Sequence, residues 1–167
     1  MAAKLPKPPK GPPKGPKMII GWREWVALPA LGVARIKAKV DTGARSSALH
    51  AWDITEFSRG GARWVRFDVH PVQRADRPSV TCEAAVIDRR GVTNTSGRAE
   101  ERYVIETDLD FAHIRWPIEI TLAKRDEMGF RMLLGRTALR GRAVVDPGRS
   151  FLAGLPGSAS MVAARKR

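Results

Sequence analysis

Lys39-Val40-Asp41-Thr42-Gly43-Ala44-Arg45-Ser46-Ser47-Ala48 is the stretch on which the reading of this chain turns. Upstream of it, Arg35, Ile36, Lys37, Ala38, Lys39 and Val40 alternate basic and apolar residues, the period of two of a half-buried strand. That strand runs into a single carboxylate, Asp41. Thr42-Gly43-Ala44 then calls for an abrupt turn where neighbouring backbone comes close. Asp41 is therefore expected at a strand end, on a tight loop, with little bulk around it.

Asp-Thr-Gly suits a carboxylate-dyad hydrolase, and each residue has a physical job. Two carboxylates about 3 Å apart cannot both ionise, so they share one proton. One then acts as general base on a water while the other, protonated, acts as general acid toward a carbonyl. Gly43 leaves its N–H free to approach the carboxylate, and Thr42 can lock two such loops together. The chain holds one Asp-Thr-Gly, so a dyad requires Asp41 to meet Asp41 of a second copy on a two-fold axis. The tripeptide alone is equally compatible with a strand-to-turn aspartate capping its own backbone.

A second stretch narrows the choice. Met132-Leu133-Leu134-Gly135-Arg136 is an apolar run ended by Gly-Arg, and Thr137 to Gly141 reads as one or two helical turns. Asp-Thr-Gly-Ala followed much later by apolar-apolar-Gly-Arg and a short helix resembles the retropepsins, single-domain aspartic proteases that work as homodimers. The closest resemblance is to a bacterial branch typified by RimB and often labelled "ATP-dependent zinc protease". It rests on Ile20 to Pro29, Lys39 to His50, Glu101 to Thr107, Arg125 to Arg136 and Val145 to Leu152. The resemblance implies an all-β, retropepsin-like closed barrel or sandwich of short antiparallel strands with one short C-terminal helix. It makes Asp41 the catalytic residue, supported by Thr42, Gly43 and Ala44, with Gly135 letting the apolar strand pass beneath the aspartate loop. It also implies a homodimeric, cytoplasmic peptidase acting on the glutamate-rich tail of a modified ribosomal protein.

The rest of the chain is organised around these motifs. Residues 1–17 carry five lysines and many prolines without an apolar run; that composition cannot bury a core, and it lacks the apolar centre of a signal peptide. Residues 156–167 read as a second basic tail, leaving 18–155 as one protease-like domain. Net charge is +13, from 30 basic and 17 acidic residues. The tails contain no acid, and the domain between them stays net positive. No apolar run approaches ~20 residues, which argues against a membrane span. The lone Cys82 fits a reducing compartment. Paired runs at Glu24–Leu28 and Ala34–Val40, and at Ser47–Phe57 and Arg63–His70, read as hairpins. Ile114 to Ala123 alternates with Ile118, Ile120 and Leu122 on one side. The hairpin from about Ala84 to Val104, with a polar tip from Arg89 to Arg98, falls where the resemblance puts a flap; without it, a plain surface hairpin is the simpler reading. Trp52 to Ser79 would be extra relative to the viral enzymes.

Other chemistry finds less support. His50, His70, His113 and Cys82 lack metal-ligand spacing, and there is no phosphate-binding Gly-Lys-Ser/Thr loop; since carboxylates would activate the water, the dyad chemistry requires no cofactor. Ser46, Ser47 and His50 have no evident acidic orienter for a serine hydrolase. Trp22, Trp25, Trp52, Trp64 and Trp116 read as core and interface fillers. The residue after Asp-Thr-Gly-Ala, acidic in the viral enzymes, is Arg45 here. Arg45 and Arg136 cannot pair with each other, so both are candidates for binding glutamate carboxylates, unless a structural acid such as Asp146 or Glu106 holds them. The basic tails suit contact with RNA or the ribosome through phosphate. Two alternatives stay open: a non-catalytic basic module for RNA or ribosome, and a metal-dependent peptidase.

Overall fold

The computed structural model describes residues 15–93, 96–124 and 129–156. The greater part of both expected tails, residues 94–95 of the hairpin tip, and residues 125–128 lie outside the described residues. Eleven strands and one helical turn of α type make up the described part: β1 (Met18–Gly21), β2 (Arg23–Leu28), β3 (Val33–Asp41), β4 (Ser47–His50), β5 (Trp52–Arg59), β6 (Ala62–Val69), β7 (Val80–Thr93), β8 (Ala99–Phe111), β9 (Ile114–Ala123), β10 (Met132–Gly135), α1 (Arg136–Leu139) and β11 (Ala143–Asp146). The all-β, retropepsin-like fold expected from the sequence is the one observed, but its sheet is mixed rather than antiparallel throughout: β10 pairs with β3, β4 with β9 and β1 with β11 in parallel.

Six strands close a barrel in the order β2-β3-β10-β4-β9-β8, with β8 returning to β2 where Ala27 faces Asp110. From β8 the sheet continues outward as a wing, β7-β6-β5. A separate parallel ribbon pairs β1 with β11. Closure follows from the pattern of side chains: Ile36, Leu49, Ile105, Ile120, Leu122, Met132 and Leu134 are fully or almost fully buried and fill one interior. Burying such a side chain stabilises by roughly 1.5–3 kcal/mol relative to exposure. Ile118, Ile120 and Leu122 of β9 all point inward as the alternation requires. Thr121 and Ala123 are buried as well, because β4 covers this end of β9 in parallel register.

Three local expectations change in the tertiary structure. The run from Ser47 breaks at Ala51: β4 belongs to the barrel, between β10 and β9, and only β5 forms the hairpin with β6. Regular pairing extends further into the polar hairpin than composition suggests, reaching Thr93 opposite Ala99. Only Trp116 of the five tryptophans is buried; Trp22, Trp25, Trp52 and Trp64 are half-buried. No helix among the described residues is long and apolar enough to cross a membrane.

Candidate active site

β3 and β10 run parallel and finish together, Gly135 opposite Asp41. Since β10 lies between β3 and β4, the connection Thr42–Ser46 must arch over its end. The crossing is very close. A Cβ on Gly135 would lie 2.5 Å from the Ser46 carbonyl and 2.9 Å from the Arg45 oxygen, so only glycine fits there. The backbone of the arch is then held from below: Arg136 N–H donates to the Ala44 carbonyl at 2.8 Å and Thr137 N–H to the Arg45 carbonyl at 3.2 Å. The Thr137 hydroxyl donates to the same Arg45 oxygen at 2.8 Å, and Gly135 N–H donates to the buried Ser47 Oγ at 3.1 Å.

Asp41 stands at the start of the arch, half-buried. Its Oδ1 accepts the N–H groups of Gly43 at 3.0 Å and Ala44 at 3.2 Å. These bonds orient the carboxylate, and Gly43 has little room for more than hydrogen at its Cα, since a Cβ would come within 3.2 Å of that oxygen. Thr42 is exposed. A further tie reaches the loop from behind: Val40 N–H donates to the Trp22 carbonyl, and Trp22 N–H donates to Arg149. Beside Trp22, the fully buried Glu24 carboxylate accepts N–H groups from Gly21 and Leu152 at 2.8 Å and from Ala153. The C-terminal strap is thus stitched to the strand that supports Asp41.

The two candidate arginines part company. Arg136 turns to the loop, its Nη1 donating to the Gly43 carbonyl at 3.1 Å. Arg45 is exposed and lines a cleft of about 610 Å³ together with Ser46, Arg90, Trp116, Thr137, Arg140 and Arg142. Neither Asp146 nor Glu106 holds either arginine: Asp146 Oδ1 accepts Gly148 N–H in a local turn. Arg90, on β7, is bound to Asp88 and Glu119. Arg142 lies over the Trp116 ring, 4.7 Å from its centroid, and burial pulls its guanidinium below the usual arginine range. Motif spacing singles out neither Ser47 nor Thr137, nor the cleft residues Arg140 and Trp116. Ser47 comes from β4, Trp116 from β9, and Thr137 and Arg140 from the α1 turn and its end, and they meet only through barrel closure.

The histidines do other work. His50 stacks on Trp52 at 3.7 Å between centroids, and Trp52 on His70 at 4.0 Å. His113 sits in the exposed β8–β9 turn. Among the described residues no three His, Cys, Asp or Glu side chains converge, so the zinc of the branch's label finds no donor set there.

A family profile described as "Retropepsin-like aspartic endopeptidase RimB" matches residues 19–156. The chain belongs to the RimB-like family. Its curated relatives include proteins called "Probable alpha-L-glutamate ligase" from Shewanella pealeana, 48% identical over 84% of this chain and 31% of the relative. Another, from Parasynechococcus marenigrum, is 52% identical over 78% of this chain and 28% of the relative. The chain spans about a third of the length of these relatives. A solved structure from Legionella pneumophila, described as of unknown function, superposes with a TM-score of 0.70 at 26% identity, covering 81% of this chain and 98% of that one.

Proposed function

We propose that this member of the RimB-like family is a homodimeric aspartic endopeptidase that cuts peptides rich in glutamate, such as the glutamate-extended tail of a ribosomal protein. The observation that carries the reading is the Asp41 loop: one carboxylate oriented by two backbone N–H groups on an arch clamped over Gly135. One such loop per chain is half of a dyad. Two copies facing each other would bring Asp41 to Asp41, with the exposed Thr42 hydroxyls at the contact. The ionised carboxylate would take a proton from water as its oxygen adds to the peptide carbonyl. The protonated partner would donate to the carbonyl oxygen. Collapse of the tetrahedral adduct then breaks the C–N bond, the amine nitrogen taking the proton held by the first carboxylate.

Three features support the finer points. The β1–β11 ribbon presents Ile19 and Val144, exposed at 64% and 52%, as cross-strand neighbours. A two-stranded ribbon with an apolar outer pair is a natural contact for a second copy. Arg45 and Arg140 line the cleft with no carboxylate within 4.0 Å among the described residues, which suits an anionic peptide. The relatives' names attach glutamate chemistry to longer proteins that contain a similar stretch. Arg136 would act chiefly by holding the loop.

The test is mass spectrometry of a glutamate-extended peptide incubated with wild type or Asp41→Asn in the presence of chelator. Shortening by wild type alone is expected. Shortening by both would remove Asp41 from catalysis, and cleavage restored only by zinc would establish a metal-dependent peptidase instead.

A further inference from the structure

The outward face of β2 and β3 carries Arg23, Arg35, Lys37 and Lys39, none of them needed by the chemistry at Asp41. Strand alternation puts Arg35, Lys37 and Lys39 on one side of β3, with Ile36, Ala38 and Val40 buried on the other. The register sets Arg23 directly opposite Lys39 and Trp25 opposite Lys37. Like charges directly opposed across two strands destabilise a sheet, so folding alone does not favour this arrangement. No carboxylate of the described residues lies within 4.0 Å of any of the four, whereas Arg59, Arg63, Arg66, Arg89, Arg90, Arg102 and Arg115 elsewhere on the sheet all pair with acids.

Aromatic rings take the place of acids here. The Arg23 guanidinium lies 4.7 Å from the Trp22 centroid and 5.0 Å from that of Phe151. Arg35 sits 5.0 Å from Trp25 and Lys37 5.3 Å from it. Trp25 and Phe151 stack on each other at 5.7 Å. Cation–π contact steadies long side chains without neutralising them, leaving a pre-ordered row of positive charge. Successive outward residues of a strand stand about 6.8 Å apart, a step commensurate with the phosphates of an extended single strand.

We propose that the β2–β3 face binds single-stranded nucleic acid, its cations following the phosphate backbone and the Trp25–Phe151 pair offering ring surface to bases. Interleaved cations and aromatic rings are the means by which such strands are held without sequence preference. An acidic polypeptide would use the cations that the rings steady but would not stack on the ring surface itself. The face shares no residue with the cleft beside Asp41, so the two sites are separable. The five lysines of residues 1–17 precede β1 directly and add charge on the same side of the sequence.

The experiment titrates an end-labelled oligouridylate into full-length protein by fluorescence anisotropy at several salt concentrations, with the corresponding oligodeoxyuridylate and poly-glutamate as further arms. The variants are Arg35→Ala/Lys37→Ala on the face and Arg59→Ala/Arg66→Ala on the wing, each checked by thermal melt. The face pair is expected to weaken binding by about tenfold and to reduce the log–log salt slope by about 1.4, the loss of two phosphate contacts on a single strand. The wing pair is expected to leave the slope unchanged. If the face pair lowers the melt, Lys39→Ala, exposed and touching no ring, carries the same test with a slope reduction of about 0.7. Equal weakening by face and wing variants, or no effect of the face variants, would overturn the proposal. Poly-glutamate binding to this face more tightly than either oligonucleotide would overturn it in favour of an acidic peptide.

Discussion

The aspartate end of the barrel and the β5–β7 wing are built on opposite uses of charge and backbone. On the wing, Arg59 and Arg66 converge on Glu83, and Arg63 on Glu56; the glycines of its turn, Gly60 and Gly61, have open space around them. At the aspartate end Arg45 and Arg140 have no carboxylate within 4.0 Å among the described residues, while at Gly135 the backbone is too crowded to admit a Cβ. Exposed ion pairs contribute little to stability. On the wing they give Arg59, Arg63 and Arg66 each an acidic partner.

Backbone substitution should separate the two regions most sharply. Gly135→Ala would drive a methyl into the Ser46 carbonyl and should cost about 3 kcal/mol, whereas Gly60→Ala, at φ +59° in open space, should cost only about 1 kcal/mol. Chemical denaturation of both variants reads the difference; equal costs would mean the arch over β10 can relax. Next in size is Glu24→Gln. Replacing the buried acceptor of N–H groups from Gly21, Leu152 and Ala153 should cost about 2 kcal/mol, and hydrogen exchange at Leu152 and Ala153 should quicken. Unchanged exchange would show that the strap is held by Phe151 and Arg149 alone.

The wing should respond mainly to pH. Arg59, and then Arg66, hydrogen-bond Glu83 and hold its carboxyl below the usual glutamate range. A lowered folded-state value gives stability that is present above the unfolded value and lost as pH falls through the folded one. Glu83→Gln should therefore leave the neutral-pH melt almost unmoved and flatten its decline on the acid side; a large loss at neutral pH would contradict the solvent-exposed reading. The smallest effect belongs to Cys82. Burial, with Asp68 nearby, pushes its thiol up to about 12, so alkylating reagents should leave the native protein untouched at neutral pH. Rapid labelling would show that the wing opens.

Much of the site was legible in one dimension because its parts are local. Asp41, Gly43 and Ala44 form their hydrogen bonds within three residues of one another, and a turn of that kind is written in residue type. Gly135 was legible through its resemblance to a known pattern, though the reason it must be glycine is an arch contributed by residues about ninety positions earlier. Of the tryptophans expected as core and interface fillers, Trp116 alone is buried in the core, since composition records apolar area but not which side of a strand meets solvent. Arg45 and Arg136, equivalent as isolated cations, diverge because one end of α1 lies under the Gly43 carbonyl and the other arginine faces the cleft.

By itself the sequence determined the period-two strands, the abrupt turn after Asp41, the single Asp-Thr-Gly per chain and the excess of positive charge, all of which depend on residue order or composition. The tertiary structure alone decided that β10 slides between β3 and β4, that Glu24 captures the C-terminal strap, and that Arg23, with Trp22 and Phe151 beside it, faces Lys39. Those contacts join segments far apart in the chain, and their register is set by closing one barrel around one core, which no local pattern encodes.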